Sequence, residues 1–446
     1  MIPKENKIME QLRVGFSKCE ITPKLGSYLQ GHNKLRYAVR VNDPLFVRCV
    51  IFENQGMAVM LCYDLCGMNT KLSEEIRKMV ASYVGCEPKD VFVSCTHTHT
   101  GPNVVNMTHD WDQEYVDVLK HLSMHAAALA KNDLRSAQMS IAQDELKGVS
   151  FCRRYRMKDG SVRTNPGVGN PDIAAPMNDP DYMVQLLKIT REGANDIAMV
   201  NFGCHADSVK MINDEYVVSA DWPGVACNAV EGALPGVSCV VFNGPCGDVA
   251  QRNHMAPPDT VKSTSGWPRT VLLGRSVAGK VISLYNDFTK PLEAGPVATS
   301  EIRFDIPLKR PTEEQLAAAR DILEHEADYL GGNMQKTTTL FEARMLLTVS
   351  KTNGFAPAIV SAFRVGQFGA AGIPGEPFCE IGKQIKEKSP YEAQFVLYLT
   401  NGSGGYFPMK DAFSYDGYEA RTAKFQPGVG ELMIDNALEL LNEMNQ

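Results

Sequence analysis

The sequence predicts an α/β fold, a large mixed β-sheet core flanked by helices. Three observations carry that expectation. Short runs rich in Val, Ile and Phe alternate with longer amphipathic stretches along most of the chain. Hydrophobic residues make up 44% of the 446 and charged residues 22%, an ordinary globular balance. No fixed-period repeat, low-complexity segment or composition break divides the chain, so a single domain over residues 10–446 is expected.

Strands are expected at residues 48–52, 57–64, 90–96, 197–202, 238–242, 301–306, 358–368 and 394–399, each β-rich and most ending at Gly, Asn, Asp or Pro. Helices are expected at 72–84, 111–131, 223–234, 276–287, 313–329, 335–349, 380–388 and 430–444. Thr312 can cap the fifth of these while Gln315 reaches back to it. Loops fall at 165–180, 257–268 and 402–408, and the first two are long for plain connections.

Charge narrows the partners. Lys+Arg total 45 against 52 Asp+Glu, a net charge of −7. That acidity argues against nucleic acid and anionic membranes, which need a basic face. No window approaches the ~20 apolar residues of a membrane span, so no stable membrane insertion is expected. The N-terminus has no signal-peptide run. Twelve cysteines occur without a C-x-x-C pair, and Cys49, Cys62 and Cys239 lie inside apolar runs. They read as reduced thiols in a cytoplasmic protein.

The chemistry gathers at strand ends. In VFVSCTHTHTGP, residues 91–102, an apolar strand runs into His97 and His99 and breaks at Gly101-Pro102. Strand alternation puts the two imidazoles on one side, where α/β folds hold ligands. Such a pair suits a metal ion, or else is simply hydrogen-bonded. His205, in MVNFGCHADS, also follows an apolar strand, and a ligand fits it as well as a structural histidine does. Glu376, in a Pro-Gly-Glu-Pro turn, is either a hard ligand or an exposed turn residue. Asp248 sits in a Gly-rich loop, NGPCGDVAQRN, that lacks the Gly-Lys-Ser/Thr of a phosphate loop. Asp64 and Asp248 are candidates to accept ring N–H bonds. His121 and His125 lie four apart on an expected helix without a third partner. His109, His254 and His325 read as solvated, and His32 follows Gly31 in a loop. The absence of a Gly-x-Ser-x-Gly elbow argues against a serine hydrolase. An amidohydrolase barrel would want its H-x-H near the N-terminus, not at residue 97.

Taken in order, T-H-T-H-T-G-P, C-H-A-D-S, N-G-P-C-G-D-V, P-G-E-P and L-T-N-(x)4-Y-(x)11-Y-E-A resemble the neutral/alkaline, non-lysosomal ceramidases, from Val14 to Leu441. The resemblance implies a zinc amide hydrolase whose Zn2+ is held by His97, His205, Glu376 and Tyr406. It implies that His99 lies beside the metal, that Arg153 and Tyr418 hold a carboxylate end of the product, and that the Gly31 backbone lines the same pocket. Where the family reads N-x-G-D-V-S, this chain has Ala250 in place of the serine, which leaves a metal-activated water as nucleophile. The chain also resembles the family's catalytic part without its C-terminal sandwich domain. The expected substrate is therefore a small soluble compound rather than membrane ceramide.

Zinc lowers the pKa of bound water to about 7, and an imidazole with an ordinary pKa near 6.5 suits proton transfer, the task expected of His99. Zinc chemistry serves other carbonyls equally. The alternative is a metal-dependent esterase or lactonase acting on a carbohydrate-like or other small carbonyl substrate. No sequence feature specifies an oligomeric state.

Overall fold

The computed structural model describes residues 11–32, 35–105, 112–209, 211–259, 265–330 and 333–445. Its first two thirds repeat one pattern of principal elements. The first copy is β1 (Arg13–Glu20), β2 (Phe46–Asn54), β3 (Gly56–Tyr63), α1 (Thr70–Val84), β4 (Val91–Cys95) and α2 (Gln113–Asn132). The second is β5 (Arg135–Glu145), β6 (Met183–Arg191), β7 (Asp196–Phe202), α3 (Asp221–Ala233), β8 (Val237–Asn243) and α4 (Trp267–Asp287). These eight strands form one sheet in the order β8-β7-β6-β5-β1-β2-β3-β4, and a ninth short strand, Lys290–Leu292, pairs with β5. β3 with β4 and β7 with β8 are parallel; the other neighbours are antiparallel. The copies meet at β1 and β5, where, among the described residues, Arg13↔Ser136 and Val14↔Arg135 are in register and Ala137 N–H donates to Leu12 O (2.9 Å).

A second sheet follows, β9 (Val297–Pro307), β10 (Phe355–Val365), β11 (Phe368–Gly372) and β12 (Ala393–Leu397), paired in that order with β11 and β12 parallel. Helices α5 (Glu313–Glu324) and α6 (Met334–Val349) lie between β9 and β10 in the chain. After β11 come α7 (Cys379–Lys388), α8 (Tyr418–Thr422) and α9 (Val429–Met444).

The alternation of side chains sorts the core into layers. In β2, Val47, Cys49 and Ile51 face α1 and α2, while Val50 and Phe52 face the second sheet. In β7, Ala198, Val200 and Phe202 face α3 and α4, while Ile197 and Met199 face the second sheet. The far side of the second sheet is covered by α7 and α9. The order is helices, large sheet, small sheet, helices. Strands covered on both faces read as continuous apolar runs. Phe363 of β10 joins the sheets, with ring centroids 5.7 Å from Phe52 and 5.4 Å from Phe92. Its replacement by Ala costs about 3–5 kcal/mol.

The structure revises several expected boundaries. The strand expected at 358–368 is a hairpin that turns at Gly366, whose φ is 57°. The helix expected from 276 starts at Trp267, with Pro268 in its first turn, where a missing N–H costs nothing. The helix expected to reach 329 ends at Glu324, and a 3-10 turn, Glu326–Asp328, follows; its Thr312–Gln315 capping box is present. The long loop at 165–180 contains a strand, Ile173–Pro176, paired with Arg154–Met157. Trp111 and His109 lie outside the described residues, as do residues 260–264 of the second expected loop.

Candidate metal centre

The site forms where β4 and β7 end and the β11–α7 turn meets them. β4 stops at Cys95, and His97 then takes a left-handed backbone, with φ 69°. Strand alternation therefore does not align His97 with His99. A strained turn does, at a cost of about 1–3 kcal/mol. His97 N–H donates to Leu65 O (2.9 Å) and His99 N–H to Ala206 O (3.0 Å), so main-chain bonds fix both ends of the turn. The two Nε2 atoms lie 3.1 Å apart.

His205 leaves β7 through Gly203 and Cys204 and is buried. Its Nδ1 donates to Cys246 O at 2.7 Å, and His97 Nδ1 donates to Cys66 O at 2.5 Å. A carbonyl only accepts, so both rings carry Nδ1–H and turn Nε2 toward the centre. There Glu376 Oε2 lies 3.4 Å from His97 Nε2 and 3.3 Å from His205 Nε2. Glu376 is held by its backbone: its N–H donates to Gly405 O (2.8 Å), and Glu376–Pro377 pairs in parallel with Tyr406–Phe407. The loop after β8 docks on the same turn through Gly247, where a Cβ would meet Glu376 O at 2.5 Å.

The pairing of Glu376 with Tyr406 places that tyrosine beside the carboxylate. The phenol bonded to Glu376 Oε2, however, is Tyr398, at 3.0 Å. Tyr406 stacks against Arg153, whose guanidinium carbon is 5.3 Å from the ring centroid, and Tyr418 is 5.6 Å from Tyr406, ring to ring. Arg153 Nε donates to Glu419 Oε1 (2.7 Å), and Thr164 Oγ1 donates to Glu419 Oε2 (2.7 Å). Arg153 Nη1 lies 3.3 Å from His205 Nε2, and its buried Nη2 has no protein partner. A buried donor left open in this way costs about 1–3 kcal/mol unless something accepts it.

Electrostatics fit a cation at the centre. Burial works against a charged His97, yet the Glu376 carboxylate and Cys66 together outweigh it and hold the His97 pKa well above its ordinary value. Burial also opposes ionisation of Glu376, but His97 and His205 hold its pKa well below the usual carboxylate range. Burial, then Arg153, lowers His205. Burial pushes His99 well below its ordinary value, with His97, His32 and His205 adding to it against the pull of Asp207. A bound metal ion would replace the proton that His97 shares with Glu376. The three ligand atoms of His97, His205 and Glu376 lie within 4.8 Å of one another. Two imidazoles and a carboxylate, with phenols alongside, match the donors zinc prefers.

Several expected roles change. Asp64 does not accept from a ring: it pairs with buried Arg48 (2.8 Å) and accepts Phe46 N–H (2.9 Å). Asp248 accepts Cys379 N–H (2.9 Å) and Asn178 Nδ2 (2.7 Å), steadying the loop. Main-chain carbonyls take the ring protons instead. His254 is not solvated; it is buried, accepts Gly167 N–H (3.1 Å) and contacts Asn165 (3.1 Å). His121, His125 and His325 are exposed. Three residues at the centre had no assigned role: Asp207 of C-H-A-D-S, Tyr398 just before L-T-N, and Glu419 of Y-E-A. The quoted motifs hold or adjoin all three, so motif membership was the available signal. A surface cleft of about 830 Å³, lined by Arg13, Glu53 and Leu134 among others, includes none of these site residues.

The family profile described as neutral/alkaline non-lysosomal ceramidase, N-terminal, matches residues 13–253, just over half of the chain. The chain belongs to that family. This ceramidase-like hydrolase also shares its fold with solved ceramidases. Neutral ceramidase from Pseudomonas aeruginosa superposes with a TM-score of 0.74 at 17% identity, over 97% of this chain and 75% of that one. A structure described as ceramidase complexed with C2 gives 0.74 at 15% identity, over 98% and 75%. No curated protein sequence matches the chain. The profile covers His97, His99, Arg153 and His205; Glu376, Tyr398, Tyr406 and Tyr418 lie beyond it. Among the described residues, no helix is long and apolar enough to cross a membrane.

Proposed function

We propose that the protein is a zinc-dependent hydrolase that cleaves an N-acyl amide bond of a small soluble compound. One observation carries the reading: His97 Nε2 and His205 Nε2 converge on Glu376 Oε2 at 3.4 and 3.3 Å. His97, His205 and Glu376 would hold the ion, with Tyr406 as the fourth donor. A zinc ion there supplies a Lewis acid for the carbonyl and a water nucleophile at neutral pH.

The chain's own groups do the rest. Cys66 O and Cys246 O fix the tautomers of the two ring ligands. His99, held neutral, takes a proton from the attacking water at Nε2 and returns it to the leaving nitrogen. Arg153 Nη2 and the Tyr418 hydroxyl donate to the carboxylate that hydrolysis creates, and Glu419 keeps the guanidinium in place. The site draws on residues from His97 to Glu419, which supports one catalytic unit over residues 10–446. Twelve free thiols, ten of them buried, suit a reducing cytoplasm.

The test pairs metal analysis with a substrate panel. Purified protein is expected to hold one zinc per chain and to turn over small N-acyl amides faster than esters, lactones or micellar ceramide. Faster turnover of an ester or lactone would move the reaction to that bond, and metal-independent turnover would end the reading.

A further inference from the structure

A second group of ligand atoms lies on the other side of His99. His32 Nε2 is 3.0 Å from Asp207 Oδ1, and His99 Nδ1 is 3.8 Å from the same oxygen. All three ligand atoms lie within 4.8 Å of one another. His99 is 9% exposed, and its Nδ1, on the side away from His97, has no hydrogen-bond partner. Gly31 holds that ring in place: its φ is 105°, and a Cβ there would meet the His99 ring at 2.6 Å. His32 and Asp207 are about a quarter exposed, so an ion can reach them from solvent.

We propose that His32, His99 and Asp207 form a second divalent-cation site that shares the His99 imidazole with the reaction centre. The donor set, two imidazoles and one carboxylate, suits zinc. Ligand atoms about 2 Å from one ion stand roughly 3–4 Å apart, so the ring of His32 need move only slightly. On binding, the ring protons rest on His32 Nδ1 and His99 Nε2, and the metal takes His32 Nε2 and His99 Nδ1. The Cys66, His97 and His99 group is a poorer candidate, because Cys66 O already occupies His97 Nδ1.

The site rests on the proposed reaction only for its consequence. An ion on Nδ1, with the ring proton on Nε2, leaves His99 no lone pair to accept a proton from water, so excess zinc slows turnover. General acid–base catalysis is worth about 10²–10⁴-fold, so the loss should approach 100-fold at saturation.

The experiment is zinc titration of the metal-stripped full chain, read as bound ions per chain, in the wild type, His32→Ala, Asp207→Asn and His205→Ala. The wild type should bind two ions in separate steps. His32→Ala and Asp207→Asn should keep the tight step and lose the weak one. His205→Ala should lose the tight step and keep the weak one. In the wild type, inhibition of turnover should share its midpoint with the weak step. A weak step that survives both His32→Ala and Asp207→Asn, or a single step in the wild type, overturns the inference and leaves the first site standing. A tight step that survives His205→Ala would instead overturn the first site. Asp207→Asn preserves shape, so its unchanged thermal midpoint guards against a folding defect.

Discussion

The two copies of the strand pattern meet the same need by opposite means. In the first, the imidazole follows the fourth strand, as His97 after β4, and its carbonyl follows the third, as Cys66 after β3. In the second, the imidazole follows the third strand, as His205 after β7, and its carbonyl follows the fourth, as Cys246 after β8. The parallel strand pair at each edge of the sheet puts two loops side by side. Either loop can carry the ring, provided the other offers a main-chain oxygen. The topology repeats where the residues do not, which is why no period was visible in the sequence.

The largest expected effect tests whether the two arrangements are equivalent. His97→Ala and His205→Ala should each empty the tight metal site and drop hydrolysis to background, as read by metal content and rate. Retention of metal in either variant would make one copy dispensable. Next, Tyr406→Phe, which removes the proposed fourth donor to the ion, should lower both zinc affinity and turnover with an unchanged thermal midpoint. Tyr398→Phe should have the smaller effect, weakening metal affinity about 10–100-fold, because that phenol orients Glu376. A larger loss of metal in Tyr398→Phe than in Tyr406→Phe would exchange the two tyrosines' roles.

A smaller contrast separates the helices that follow the third strands. α1 starts from a neutral cap, Asn69, which accepts Leu72 N–H at 2.8 Å. α3 starts from buried Asp221, which accepts Ser208 and Val209 N–H (3.0 Å each) and the Ser208 hydroxyl. Burial, outweighing those bonds, pushes Asp221 up to about 6. A carboxyl raised on folding binds its proton more tightly when folded, so stability falls as pH rises from about 4 to about 6. The loss is on the order of 3 kcal/mol, and Asp221→Asn should flatten that part of the stability curve in denaturant titrations. Asn69→Ala should cost only about 1 kcal/mol, at every pH.

Much of this was legible. Strands with both faces covered, such as Val237–Asn243, are apolar throughout and stand out in the sequence. β5 was missed because its buried face, Ala137, Met139 and Ile141, alternates with Gln138 and Ser140, a weak signal for a strand at the sheet centre. β1 was missed as well, its run broken by Gly15, Ser17 and Lys18. The family resemblance named the residues that the turn, the second copy and the small sheet bring together. The acceptors of the ring protons were not legible, because a backbone oxygen leaves no trace in residue identity. Nor was the left-handed His97, where a β-strand reading carried one residue too far.

The join between the copies has a mechanical consequence. Two register pairs bind β1 to β5, where β5 and β6 share nine. Among the described residues the middle of this sheet is narrowly joined, with Ala137 N–H to Leu12 O (2.9 Å) as a further tie. The small sheet lies across the join in one apolar cluster with Val14 and Phe52 from one copy and Ile189 and Met199 from the other. Nearer the centre the two imidazoles are kept in step by direct bonds between the copies, His99 N–H to Ala206 O (3.0 Å) and Asn243 Nδ2 to Thr96 O (3.1 Å), the same Nδ2 also donating to Cys204 O (3.0 Å). Loosening the small sheet at Phe363 would leave those few bonds to hold the alignment alone.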